Sequence, residues 1–148
     1  MTPKNFLSLA PRLVVGLVLL YAGFLKAAGP AAEFAAALAA YHLFPSVLLS
    51  TLALAIPYVE MWVGLFVLAG LYTRYAASAA AALFCAFLLV LLSALLRGID
   101  LASCGCFGAE TLSPRWTVMM DTVLLSLSLW IRRQSKSSPP LSLDRTLN

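Results

Sequence analysis

The segment Ser103-Cys104-Gly105-Cys106-Phe107-Gly108 offers the most direct chemistry in this sequence, two thiols separated by a single glycine. Neighbouring Cα atoms lie about 3.8 Å apart, so residues two apart can fall within the roughly 4.4–6.8 Å window of a disulfide. Gly105 frees the backbone that must bend to close it. Such a bridge would hold little together. For a loop of about three residues, chain entropy gives only about 1.6 kcal/mol, and nonideal geometry can offset that. A bond of this kind is easily reduced, which suits a dithiol that cycles between oxidised and reduced forms. Two other readings of the pair stay open. It is structural or incidental, or it binds a soft metal, because paired thiolates suit Cu(I). A four-ligand zinc site would need partners this chain scarcely has, so no metal centre is expected.

Thiol reactivity depends on how well the thiolate is stabilised, and cationic neighbours help. Arg97, Arg115 and the single histidine, His42, are the candidates. His42 would serve as a base, or would simply sit at the wet end of a short helix. Cys85 falls within an apolar run, where a buried thiol behaves as a small hydrophobe. Ionisable groups inside apolar runs carry more information, because lipid makes them costly. Glu60, three residues after Pro57, falls near the middle of such a run and must face a protein interior with a partner or a proton. Lys26 is the partner expected from reach and charge. Asp121 lies inside the last apolar run on the side of the cysteines, where a basic residue would pair with it. For both acids a structural pairing stands beside a proton or quinone role.

The elements that must position these groups follow from composition. With 62% hydrophobic and 11% charged residues among 148, the chain is no ordinary soluble domain, where charged residues make up about a quarter. A bilayer needs about 20 apolar residues per helix, so the length admits four spans and no large catalytic domain. The net charge of +4 reads as membrane topology rather than nucleic-acid binding, since no basic run with interleaved aromatics occurs. The expected architecture is an all-α bundle of four transmembrane helices over about 8–27, 46–71, 75–96 and 116–131. The first is the shortest: Arg12 and Lys26 bound its apolar stretch, and it reaches full length only if Phe6 to Ala10 join it. Read as a signal peptide, Lys4 and Arg12 would precede the apolar run Leu13 to Leu20. Lys26, however, occupies the place of a small-residue cleavage site. Trp116 and Trp130, with Arg115, Arg132 and Arg133 outside them, frame the fourth span as interfacial anchors do.

Between the first two spans, Pro30 suits a first helical position and Glu33 complements a helix dipole. Phe34, Leu38 and Tyr41 repeat at helical spacing until Pro45. A short interfacial helix ending near His42 is expected. The chain divides into a membrane domain, 1–133, and a disordered tail, 134–148, rich in Ser and Pro. Lys4, Arg12, Arg74, Arg132, Arg133, Lys136 and Arg145 would lie on one side, against Lys26, Arg97 and Arg115 on the other. The basic excess marks the cytoplasmic face. Both termini are therefore expected in the cytoplasm, with His42 and the cysteine loop outside an inner (cytoplasmic) membrane.

The motifs Ala22-Gly23-x-x-Lys26, Tyr41 to Pro45, Pro57-x-x-Glu60, Leu71-x-Thr73-Arg74, Arg97-Gly98 and Cys104-Gly105-Cys106-Phe107-Gly108 together resemble the MauE branch of the MauE/DoxX redox-associated membrane proteins. The resemblance runs from about Arg12 to Ile131, and the Cys-Gly-Cys-Phe-Gly element is its most specific part. It implies a four-helix membrane protein linked to making or maintaining disulfides during maturation of a periplasmic methylamine dehydrogenase subunit. Members also occur beside thioredoxin-like proteins.

The function expected is thiol–disulfide exchange at the outer face of the membrane by Cys104 and Cys106, with Gly105, Arg97, His42, Asp121, Glu60 and Lys26 in support. The partner would be a thioredoxin-like or other extracytoplasmic thiol protein, and a membrane quinone is a candidate second electron carrier. Alternatives are a non-enzymatic scaffold or assembly subunit of a redox complex, and a metal-handling or small-solute transport protein.

Overall fold

A computed structural model describes residues 3–98 and 114–134, and among them every regular element is helical. The helices are α1 (Pro3–Ala28), α2 (Ala31–Ala40), α3 (Ser46–Ala69), α4 (Thr73–Leu96) and α5 (Pro114–Gln134). Three of them contain stretches long and apolar enough to cross a membrane: Leu9–Ala28, Ser46–Ala69 and Thr73–Leu96. At 1.5 Å per residue the 24-residue α3 and α4 extend about 36 Å, enough for a hydrocarbon core of about 30 Å. α5, with 21 residues, is long enough as well, but Arg115, Asp121, Arg132 and Arg133 make it more polar than the other three.

The first helix includes the Phe6 to Ala10 extension, so Arg12 does not mark a boundary. It lies inside α1, is 5% exposed and is engaged with the protein. Arg12 is thus part of the bundle and not a solvated flank of the span, as its charge alone implied. Pro30 is the residue before α2 rather than its first, with φ −61° and ψ 126°, and Glu33 stands in the first turn. α3 begins after Pro45 and ends at Ala69, two residues short of the span read from sequence, with Gly70 as its cap. Gly70 has φ +65°, and the Leu71 N–H donates to the Phe66 carbonyl at 3.1 Å, a left-handed helix stop that glycine adopts without a Cβ clash.

α1 and α3 run antiparallel at close range because glycines line their contact. A Cβ on Gly64 would lie 2.9 Å from the Gly16 carbonyl oxygen, and one on Gly23 would lie 2.7 Å from the Pro57 carbonyl oxygen. Small residues of this kind let helix backbones approach in lipid, where apolar side chains gain little from leaving the solvent. α4 packs against α5 through Ala76, Ala77, Ala80 and Phe84 of α4 and Leu124 and Ile131 of α5, which join Val15, Leu19 and Val67 in one core. The contacts α1–α3, α3–α4, α4–α5 and α5–α1 close the four long helices into a ring, and α2 packs on α3. Phe84 takes the inward position, so its neighbour Cys85 faces outward rather than being buried as the apolar run implied.

Candidate functional site

The close α1–α3 approach at Gly23 sets up the centre of the bundle. One turn later in α1, the Lys26 ammonium donates to both carboxylate oxygens of Glu60, at 2.6 Å to Oε1 and 2.8 Å to Oε2. The two side chains are 3% and 1% exposed. This is the pairing that reach and charge single out in the sequence. Pro57 lies one turn before Glu60, fully buried, and its missing N–H leaves the Ala53 carbonyl without the usual helical donor.

Removing two charges from water costs several kcal/mol per ion, which is recovered only with good geometry and further partners. Here the geometry is two-pronged, and the ammonium also lies near two rings. Its Nζ is 5.6 Å from the centroid of Phe34 on α2 and 5.2 Å from that of Phe87 on α4. Both fall within the range of a cation–π attraction. α5 contributes Asp121, 4% exposed, which is attracted by Lys26 and repelled by Glu60. Lys26 thus gathers groups from α2, α3 and α4 around one cation, with Asp121 of α5 within reach of its charge.

Among the described residues, no basic group is hydrogen-bonded to Asp121 Oδ2. Its Oδ2 is buried without a hydrogen-bond partner, and so is Oγ1 of Thr117, one turn earlier on the same face. Arg97 is committed elsewhere, since its Nη2 donates to the Tyr41 carbonyl. Arg115 is exposed at the start of α5. Thr117 does not stand out in the sequence, because a hydroxyl in a helix is inexpensive. The four-residue spacing to Asp121 was the available signal. Phe34 and Phe87 were likewise legible only as apolar positions.

At one end of the bundle, Tyr41, Leu91 and Ala94 form a second small core, with Val90 and Val118 packed on it. There the Arg97–Tyr41 hydrogen bond ties the end of α4 to the end of α2. His42, the next residue, is exposed with φ +50° and ends α2 through its N–H to the Ala39 carbonyl, at 3.0 Å. Arg97 and His42 are therefore brought to one end of the molecule. Because Ala94 and Val118 meet in this core, Gly98 and Pro114 stand at the same end. The residues joining them include Cys104, Gly105 and Cys106, which lie outside the described residues, as does the tail 135–148.

Comparison with protein families matches residues 4–132 to the family described as Methylamine utilisation protein MauE. Comparisons with curated proteins and with solved structures return no match.

Proposed function

The chain belongs to the MauE family, and from that premise we propose that it is a membrane thiol–disulfide redox protein acting through Cys104 and Cys106. A thiolate of an extracytoplasmic partner, of thioredoxin-like or similar kind, attacks one sulfur of the Cys104–Cys106 bond. A mixed disulfide forms and the other cysteine leaves as a thiolate. The partner's second thiolate then resolves it, so the partner becomes oxidised and the Cys104/Cys106 pair carries the two electrons and, after protonation, two protons. The pair is reoxidised by passing both to a second acceptor, either a membrane quinone that becomes quinol or another disulfide.

The observation that carries this reading is the placement of the Cys-Gly-Cys segment in the chain. In sequence it joins Gly98 to Pro114, and the described ends of α4 and α5 on either side of it lie at the end of the bundle where Arg97 and His42 are found, which supports the reading. In this reading the Arg97 guanidinium would favour thiolate over thiol if the cysteines come near it. In the same reading α5 is the fourth crossing, supported by its length and its packing against α4 and α1. Both termini are cytoplasmic in an inner membrane, supported by the basic residues near the two chain ends.

Cys104→Ser and Cys106→Ser test the reaction. Each should abolish thiol exchange, and the variant lacking the resolving cysteine should accumulate a mixed disulfide with the partner. A double variant that complements fully in cells favours the second reading, a non-enzymatic scaffold. That reading draws on the Lys26–Glu60 centre, which braces helices without involving a thiol. Tight Cu(I) binding by the wild type without exchange with any thiol protein would replace both with a metal-handling role.

A further inference from the structure

Among the described residues, the inner cluster brings one cation and two carboxylates together from three helices: Glu60 is paired with Lys26, and Asp121 Oδ2 has no hydrogen-bond partner. We propose that Asp121 is a second acceptor for Lys26, and that the ammonium passes between Glu60 and Asp121, locking α1 alternately to α3 and to α5. The inference goes beyond the redox reading and does not depend on it.

Four observations carry it. Asp121 is 4% exposed, and its Oδ2 has neither a donor nor contact with solvent, a condition that buried carboxylates rarely keep. The charges of Lys26 and Glu60 both act on it, so the ammonium lies within electrostatic range. Lys26 spends two of its three N–H groups on Glu60, leaving the third to engage Asp121 before the first contacts are released. Its four-carbon stem supplies the reach that a guanidinium in a rigid fork would lack. Finally, α1 packs against both α3 and α5, so either pairing joins helices already in contact.

The surroundings suit the exchange. The rings of Phe34 and Phe87 flank the ammonium and offer attraction that does not depend on which carboxylate it holds. Gly23 keeps α1 and α3 in register whether or not the ion pair is made, because that contact is between backbones. α5 begins directly after the segment that carries Cys104 and Cys106. Transfer of the cation to Asp121 therefore reaches the helix from which that segment departs.

The experiment follows the ammonium directly. Full-length protein in lipid bilayers is prepared with isotope-labelled lysine nitrogen and labelled carboxylate carbons, and dipolar contacts from Lys26 Nζ are measured by solid-state NMR. In the wild type, Nζ should contact Glu60 Cδ and also Asp121 Cγ. In Glu60→Gln the contact to Asp121 should strengthen. Absence of any Asp121 contact in the wild type overturns the proposal, so the measurement decides even if Glu60→Gln does not fold. Thermal unfolding supplies a second readout. Glu60→Gln and Asp121→Asn should each be tolerated, and the double variant should lose about tenfold or more in its folding equilibrium beyond the sum of the singles. Additive losses would show that Lys26 belongs to Glu60 alone.

Discussion

Lys26 is worth more to this fold than either acid, because among the described residues it is paired with Glu60 and its charge also acts on Asp121. Lys26→Met should destabilise the protein by about 3–5 kcal/mol, the cost of leaving a buried charge without its partner. Adding Glu60→Leu should restore much of that loss, since an apolar pair of similar volume avoids desolvation altogether. Reversible unfolding in detergent or bilayer would measure both, and a Lys26→Met chain as stable as the wild type would remove the pair from the account of stability. The pair was readable in the sequence because lipid makes an isolated charge in an apolar run expensive enough to demand an opposite one. Asp121 was readable only in part. Its burial followed from its place in the fourth run, but Arg97 had gone to a backbone carbonyl and Arg115 to the surface, and neither choice is written in residue spacing.

At the level of helices, the tight contacts are backbone against backbone. Gly64→Val would push a side chain into the Gly16 carbonyl and the Leu20 amide, and neither can swing away. Overpacking of this sort should cost about 1–3 kcal/mol and should separate Lys26 from Glu60 as α1 is displaced from α3. A drop in unfolding temperature together with loss of the Lys26–Glu60 NMR contact would bear this out. An unchanged contact would mean that α1 and α3 can slide. Gly70→Ala, at φ +65°, should cost about 1 kcal/mol through left-handed strain alone and leave that contact intact. Helix ends were close to legible because Pro45, Gly70 and the Trp–Arg anchors of α5 are local signals. Arg12 was misleading for a physical reason. A charge reads as a boundary only if it faces water, and this one is folded into the bundle. The outward face of Cys85 has the same origin, since helical phase assigns the interior to Phe84 and a nearly uniform apolar run does not reveal phase.

For the whole molecule, the basic residues predict which end faces which compartment. An impermeant thiol reagent applied from outside should reach Cys104 or Cys106 after reduction, while a tag on the tail should remain inside. Labelling of those cysteines from the cytoplasmic side only would invert the topology. Cys104→Ser and Cys106→Ser should keep near-normal thermal stability, since a loop of about three residues constrains the unfolded chain by only about 1.6 kcal/mol. The all-helical membrane architecture and family were legible from hydropathy and motif spacing. α5 was less so, because a helix that turns a polar stripe inward, with Thr117, Asp121 and Ser128 all buried, has a composition that underestimates its fit to the bundle.

The convergence of helices on Lys26 also bears on how the chain is made. α1 leaves the ribosome first, and at that moment Glu60 has not been synthesised. With no carboxylate available, the long Lys26 stem lets its ammonium rise to the headgroups, so α1 waits in the membrane with its charge in the interface. In the complete bundle the ammonium is held by Glu60 of α3, with the phenyl rings of α2 and α4 beside it. A chain halted before α3 would keep its lysine at the surface and its glycine face bare. Burial of the Lys26 charge therefore depends on α3 being in place, and a chain without it would hold that ammonium unpaired.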